Sequence, residues 1–119
     1  PRYAETYRRL GDFYRSTNQI DEAIRTYEQG VQVAPRNVIL RSVLGFLYSE
    51  QGETAKAIEQ NLAVLELRPA DASTLQNLAA LYVQQGDTAA ALRFAQQALT
   101  VVENADDRAT LEALIQQLQ

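Results

Sequence analysis

A short motif, Leu-Gly-x-x-Tyr, recurs in this sequence at a fixed interval of 34 residues. It stands at residues 10–14, 44–48 and 78–82, with alanine in place of glycine in the last copy. Several further positions keep the same step: Ala23, Ala57 and Ala91; Ile24, Ile58 and Leu92; Asn18, Gly52 and Gly86; Pro35 and Pro69. A period of this length is typical of repeat arrays, in which each unit packs mainly against its neighbours. The sequence therefore predicts a stack of similar units.

The first helix of each unit carries the clearest packing signal. It is predicted over residues 4–16 in the first unit, where the following apolar residues form one stripe that we expect to face the core: Tyr7, Leu10, Phe13 and Tyr14. Gly11 and Gly45 lie inside such helices, where glycine costs about 1 kcal/mol relative to alanine. We expect both to mark close helix–helix contacts, with these small residues on the partner helix: Ala23, Ala57 and Ala91.

Turn and capping residues delimit the second helices. These helices are predicted over residues 20–33, 54–67 and 88–101. The residues that suit a left-handed turn before them are Asn18, Gly52 and Gly86. Thr54 and Thr88 are predicted N-caps of the second helices, and Asn37 and Asp71 are predicted N-caps of the next first helices.

A last helix is predicted over residues 106–119. Its apolar face consists of Leu111, Leu114, Ile115 and Leu118. We interpret it as a capping helix, because a solenoid must cover its final apolar seam. The alternative is the first helix of a fourth unit, which is disfavoured because Glu112 and Ala113 replace the Leu-Gly pair. The N-terminal side has no comparable polar cap, so we expect further chain upstream.

The periodic residues resemble the tetratricopeptide repeat, whose pattern has an aromatic residue, Leu-Gly and Tyr, then alanine, an aromatic residue and proline. The first unit matches at Tyr7, Leu10, Gly11, Tyr14, Ala23, Tyr27 and Pro35. The later units depart from the pattern at Arg41, Asn61, Leu75, Ala95 and Glu103. The resemblance implies an all-α, right-handed α–α superhelix. One domain then covers residues 1–119, with repeats at 4–37, 38–71 and 72–105 and a capping helix at 106–119.

In this family the first helices line a concave groove that receives peptides or helices of partner proteins. The resemblance implies these groove positions: Glu5, Arg8, Asp12 and Arg15 from the first repeat; Ile39, Ser42, Phe46, Ser49 and Glu50 from the second; Ser73, Gln76, Ala80, Val83 and Gln84 from the third, flanked by Leu114 and Gln117. This set is charged at one end, apolar at the centre and rich in amides at the other.

Phe46 is the candidate anchor of the groove. Other residues of its helix fill the core-facing stripe, which leaves Phe46 toward the groove with Ile39 about two turns away. A partly desolvated aromatic side chain is typical of a binding anchor. The other interpretation is that Phe46 leans sideways onto the first repeat, near Phe13 or Asp12. The sequence does not decide between them.

Arg8 and Arg15 are candidates for binding an acidic peptide, although Asp12 and Glu5 lie within one helical turn and balance their charge. In the co-chaperone branch of the family, a clamp of lysines, asparagines and an arginine grips a C-terminal carboxylate. The matching positions here hold Arg8, Asp12, Val43, Ser73 and Asn77. The clamp is not present, so chaperone C-terminal tails are disfavoured as partners.

The composition argues against several functions. The 119 residues include no histidine and no cysteine, and no phosphate-binding loop or nucleophile motif occurs. We therefore predict no enzyme activity, no cofactor and no metal site. The net charge of −4 argues against nucleic acid as a partner. The sequence lacks an apolar run of about 18 residues, so we predict no membrane insertion by this segment. It also lacks a signal peptide, and we expect a cytoplasmic segment of a longer protein.

These observations together predict a protein–protein interaction module that binds a peptide or helix of a partner protein in its groove. The alternative is a structural or self-assembly segment of a larger enzyme or membrane protein, which would behave as a homo-oligomer.

Overall fold

The computed structural model describes residues 2–119, so Pro1 lies outside the described part, and that part folds into seven α-helices without a strand. The helices are α1 (Arg2–Ser16), α2 (Ile20–Val33), α3 (Val38–Glu50), α4 (Thr54–Leu67), α5 (Ala72–Gln85), α6 (Thr88–Leu99) and α7 (Ala105–Leu118). The predicted helices are all confirmed. The observed bounds differ most from the predicted ones at two helix ends. α1 begins two residues earlier than predicted, and α6 ends at Leu99 instead of residue 101.

Consecutive helices pack as pairs, α1 with α2, α3 with α4 and α5 with α6. The pairs join in series, because α2 also packs on α3, α4 on α5 and α6 on α7. The resulting body measures 43 × 25 × 22 Å. This serial packing is that of an all-α helical-repeat solenoid, as the sequence predicts.

The predicted turns are confirmed. Asn18, Gly52 and Gly86 have φ angles of 61°, 76° and 81°, in the left-handed region. No atom lies within 4 Å of where a Cβ on Gly52 or Gly86 would stand. Backbone conformation, and not lack of space, therefore favours glycine at these two turns.

The predicted N-caps are correct for two helices and wrong for two others. The side chain of Asn37 accepts a hydrogen bond from the Leu40 N–H at 2.9 Å, and Asp71 accepts one from Thr74 at 3.3 Å. Thr54 and Thr88, however, are the first residues inside α4 and α6. Asp87 caps α6, because its carboxylate precedes Thr88 and accepts a hydrogen bond from the Ala90 N–H at 3.1 Å.

The predicted core stripe of α1 is only partly buried. Leu10 and Phe13 are 43% and 57% exposed, whereas Leu44 and Leu78, at the register of Leu10, are 1% and 0% exposed. The difference follows from the order of the helices, because α2 packs on α3 and α4 packs on α5. No helix of residues 2–119 precedes α1 to cover its face. The expectation that Leu10 and Phe13 face the core is therefore wrong.

The helix glycines do mark close contacts. At Gly45 the predicted partner Ala57 is confirmed, because its carbonyl oxygen lies 3.7 Å from the Cβ position, but the nearest atoms at both glycines belong to other residues. A Cβ on Gly11 would stand 2.5 Å from Cε1 of Tyr27, and a Cβ on Gly45 would stand 3.1 Å from Nδ2 of Asn61. Tyr27 and Asn61 come one helical turn after the alanines that we expected. In the third pair, the equivalent positions hold Ala79 and Ala95, which are both buried.

Two polar side chains of the second pair occupy positions that are aromatic in the family pattern. Arg41 donates to the Pro35 carbonyl oxygen at 3.0 Å and to Oε1 of Gln60 at 3.1 Å. The buried Asn61 amide donates to the Ala57 carbonyl oxygen at 2.9 Å. Because hydrogen bonds satisfy the buried Asn61 amide and the partly buried Arg41 guanidinium, the departures from the pattern are compatible with the fold.

The glycine contacts generate a stability prediction. Gly11→Ala should lower the free energy of unfolding by about 1–2 kcal/mol, because the new methyl group overlaps a ring that is fully buried, and the gain in helix propensity offsets only part of that cost. Gly45→Ala should change it by less than about 1 kcal/mol, because the contact with Asn61 needs only a small displacement. Urea denaturation of both variants provides the measurement. Equal losses would contradict this description of the helix contacts.

Candidate functional site

Two clefts lie on either side of α3. The α1–α3 cleft has a volume of about 650 Å³ and is lined by Asp12, Arg15, Ser16, Ile20, Phe46, Leu47, Glu50 and Gln51. The α3–α5 cleft has a volume of about 250 Å³ and is lined by Ser42, Gly45, Phe46, Ser49, Asn61, Asp71, Ser73, Thr74, Asn77, Ala80, Leu81 and Gln84. Their linings come mostly from α1, α3 and α5, which are the first helices of the three pairs.

Phe46 is the residue that both clefts share. Its side chain is 53% exposed, and the Arg15 guanidinium carbon lies 6.0 Å from the ring centroid, within cation–π range. Phe46 therefore faces the open clefts and at the same time contacts α1 through Arg15. Both sequence interpretations of Phe46 describe part of this arrangement.

The clefts bring together nine of the sixteen sequence-predicted positions. Asp12, Arg15 and Glu50 line the α1–α3 cleft together with Phe46. The predicted positions in the α3–α5 cleft, besides Phe46, are Ser42, Ser49, Ser73, Ala80 and Gln84. Those outside both linings are Glu5, Arg8, Ile39, Gln76, Val83, Leu114 and Gln117. Ile39 and Val83 are well exposed nevertheless, at 56% and 42%.

Two amide side chains of the α3–α5 cleft are absent from the predicted set. Asn77 lies one turn after Ser73 on α5, and the same helical spacing that suggested Ser73 and Ala80 would have found it. Asn61 comes from α4, and its only signal was a polar residue at an aromatic position of the family pattern. These two amides make the α3–α5 cleft richer in hydrogen-bonding groups than the sequence analysis suggested.

Arg8 is neutralised within its own helix. Its guanidinium lies 2.5 Å from Oε1 of Glu5 and 3.0 Å from Oδ2 of Asp12. Hydrogen bonds from Arg8 and then Arg9 lower the pKa of Glu5 to about 2, and the Glu5 carboxylate in turn raises the pKa of Arg8. Arg15, by contrast, forms no ion pair within residues 2–119. Arg15 is thus the arginine that the α1–α3 cleft presents to a ligand.

Asp12 links the α1–α3 cleft to the core. The buried Tyr27 hydroxyl donates a hydrogen bond to Oδ1 of Asp12, while Arg8 binds the other carboxylate oxygen. Burial, followed by this hydrogen bond, raises the pKa of Tyr27 to about 12. Asp12 therefore has a structural role besides its place in the cleft.

The two clefts differ in electrostatic character. The α1–α3 cleft contains one arginine and two carboxylates, whereas Asp71, the only charged residue of the α3–α5 lining, is engaged as the N-cap of α5. The other polar groups of the α3–α5 cleft are hydroxyls and amides.

In residues 2–119, no three acidic side chains are grouped to hold a metal ion. None of the helices described is long and apolar enough to cross a membrane.

Sequence comparison identifies the family. A family model described as "Tetratricopeptide repeat" matches residues 39–104, and a second, described as "TPR repeat", matches residues 11–52. The first match alone covers more than half of the chain. The chain belongs to the tetratricopeptide repeat family, whose members generally act as non-enzymatic scaffolds. No curated protein sequence matches it significantly.

Solved structures share this fold over nearly the whole chain. The crystal structure of MamA protein has a TM-score of 0.85 at 25% identity. The match covers 98% of this chain but only 64% of the MamA chain, so this chain spans less than two thirds of that protein's length. The first TPR of Spaghetti (RPAP3), bound to the HSP90 peptide SRMEEVD, has a TM-score of 0.81 at 19% identity, covering 98% of this chain and 94% of its own. The TPR2B domain of yeast Sti1, in a complex with pHsp70, has a TM-score of 0.80 at 19% identity. The match covers 99% of this chain and 97% of the Sti1 domain chain.

The ion pairs of α1 generate a prediction for the titration of Glu5. In an NMR titration, the Glu5 carboxyl should have a midpoint near pH 2. In Arg8→Gln, the midpoint should rise toward the ordinary value of 4.5, because the largest stabilisation of the carboxylate is lost. Since the folded-state pKa is lowered, the stabilising effect of this carboxylate is complete above pH 4.5 and is lost as the pH falls toward 2.

Arg15→Gln is the matched control, because Arg15 lies on the same helix and is not paired with Glu5. It should leave the Glu5 midpoint unchanged. A Glu5 midpoint near 4.5 in the parent protein would mean that Arg8 is free and available to ligands.

Proposed function

We propose that this chain is a protein–protein interaction module that binds a peptide or helix of a partner protein across α1, α3 and α5, and that it has no catalytic activity of its own. The observation that carries the proposal is the position of Phe46, whose ring is 53% exposed between two clefts of the first helices. An exposed aromatic ring flanked by depressions loses water on both sides when a ligand docks, and such residues contribute a large share of binding energy.

The chemistry of the clefts supports a peptide ligand. The α3–α5 cleft presents serine hydroxyls and the amides of Asn77 and Gln84, which suit the alternating N–H and C=O groups of an extended backbone. The α1–α3 cleft presents Arg15 for an acidic side chain, and Ile20 and Leu47 add apolar surface there. We infer that the ligand places an apolar side chain against Phe46 and an acidic residue toward α1.

Two of the structural relatives support a peptide or protein ligand for this fold, because each is named as a complex with a partner and matches this chain nearly from end to end. The RPAP3 domain holds an HSP90 peptide, and the yeast Sti1 domain is in a complex with pHsp70. The residues at the clamp positions differ here, with Asp12, Val43 and Ser73 among them. We therefore propose a ligand other than a chaperone C-terminal tail, recognised through Phe46 and not through a terminal carboxylate.

Phe46→Ala tests the proposal. We expect micromolar affinity for the ligand, about −8 kcal/mol, and a loss of at least about tenfold in the variant, or 1.4 kcal/mol. The melting temperature should change little, because the ring is largely exposed. A ligand selected from a displayed library of random peptides, titrated calorimetrically against both proteins, supplies the measurement.

Ile39→Ala is the matched control. Ile39 is exposed to a similar extent, at 56%, and lies on the same helix but lines neither cleft. Its substitution should leave the affinity within about twofold of the parent value. Equal losses from Phe46→Ala and Ile39→Ala, or unfolding of the Phe46 variant, would contradict the role of Phe46 as the anchor.

A further inference from the structure

The three charged residues of the α1–α3 cleft differ in how far their charges are compensated. The Asp12 carboxylate binds Arg8, with 3.0 Å between Oδ2 and Nη1. The guanidinium of Arg15 lies within cation–π range of the Phe46 ring. Glu50 is exposed and forms no ion pair within residues 2–119. The charge of Glu50 is therefore the least compensated of the three.

The surroundings of Glu50 supply no cation to balance it. The residues three and four positions away along the chain are Phe46, Leu47, Glu53 and Thr54. Glu50 is also the last residue of α3, where the helix dipole favours a positive charge over a negative one. The charged groove positions of α1 are two arginines and two carboxylates, which cancel. A cation brought by a ligand is thus favoured at Glu50 by the carboxylate and by the end of α3.

The rest of the cleft suits a long side chain with a cationic head. Ile20 and Leu47 offer apolar surface to an aliphatic stem, and a volume of about 650 Å³ leaves room for it. Phe46 lies one turn before Glu50 on α3, and an exposed aromatic ring attracts a cation. The cleft therefore combines an apolar lining with two groups that attract a positive charge.

The polar groups beside Glu50 favour arginine over lysine. Ser16 and Gln51 line the same cleft, and each side chain carries an oxygen that can accept a hydrogen bond. A guanidinium has five N–H donors in a plane, so it can pair with a carboxylate and also donate to neighbouring acceptors. An ammonium group has three donors and matches a carboxylate less well.

We propose that the α1–α3 cleft recognises an arginine side chain of the partner peptide, with the guanidinium at Glu50 and the aliphatic stem across Ile20 and Leu47. This inference rests on the proposed function, because it names a residue that the same ligand places in the cleft. The ligand then carries an arginine opposite Glu50 as well as the acidic residue opposite Arg15. The net charge of −4 on the chain adds a long-range attraction for such a cation.

The displayed library of random peptides tests the proposal through the sequences that it returns. The parent protein, Glu50→Gln and Glu66→Gln serve as separate baits. Peptides selected on the parent should be enriched in arginine at least about threefold over the unselected library, in keeping with the strength of a partly exposed ion pair. The enrichment should be lost on Glu50→Gln and kept on Glu66→Gln.

Glu66 is the matched control for Glu50. It is an exposed carboxylate in the last turn of α4, forms no ion pair within residues 2–119, and lines neither cleft. Its substitution changes the net charge by the same amount. An effect of Glu50→Gln that Glu66→Gln does not share is therefore due to the cleft and not to the overall charge.

Calorimetric titration of a selected arginine-containing peptide measures the contact itself. Glu50→Gln should weaken binding at least about threefold at low ionic strength, and by less at about 1 M salt because of screening. Replacing the peptide arginine by the neutral isostere citrulline should weaken binding to the parent by a similar factor and should add nothing in Glu50→Gln. Glu50→Lys should prefer the peptide with glutamate in place of arginine. Because Glu50 is exposed, these variants should keep the parent's melting temperature.

Unchanged affinity of Glu50→Gln for an arginine-containing peptide would overturn the proposal, and so would a selection on the parent without arginine enrichment. In both cases, the about tenfold loss expected from Phe46→Ala would still support the proposed function, so that the two failures are distinguishable. A library that returns no ligand, or a selected peptide whose affinity Phe46→Ala leaves unchanged, would overturn the proposed function and this inference with it.

Discussion

Each second helix packs on the first helix that follows it, and this contact joins the helix pairs into one array. A solenoid has no central core, so a helix pair buries its apolar residues only with the help of its neighbours. Leu44 and Leu78 are almost fully buried because α2 and α4 precede them. The same serial packing sets α1, α3 and α5 in succession, and the two clefts lie between them.

The period in the sequence was sufficient to predict the helices, the left-handed turns and the caps at Asn37 and Asp71, because each depends on local chemistry that recurs every 34 residues. Burial was predicted less well, because residues with the same register need not have the same neighbours, as Leu10 and Leu44 illustrate. The partner of Gly11 was also missed. Ala23 and Tyr27 lie one turn apart on the same face of α2, and the sequence alone does not reveal which of them meets the glycine.

The candidate site was predicted in outline and not in detail. The family pattern indicated which helices form it, and Phe46 lies between the clefts. The distinction between Arg8 and Arg15 depends on side-chain geometry, because both have carboxylates within one turn and only Arg8 is paired with them. Asn61 was missed because it belongs to a second helix, which the groove pattern leaves out.

The claim that follows from this packing is that the preceding helix determines how deeply each motif leucine is buried. The most direct test is the free energy of unfolding of Leu10→Ala, Leu44→Ala and Leu78→Ala, measured by urea denaturation. Leu44→Ala and Leu78→Ala should each lose about 2–5 kcal/mol, whereas Leu10→Ala should lose less than about 1 kcal/mol because its side chain is 43% exposed. Similar losses for all three variants would contradict the claim.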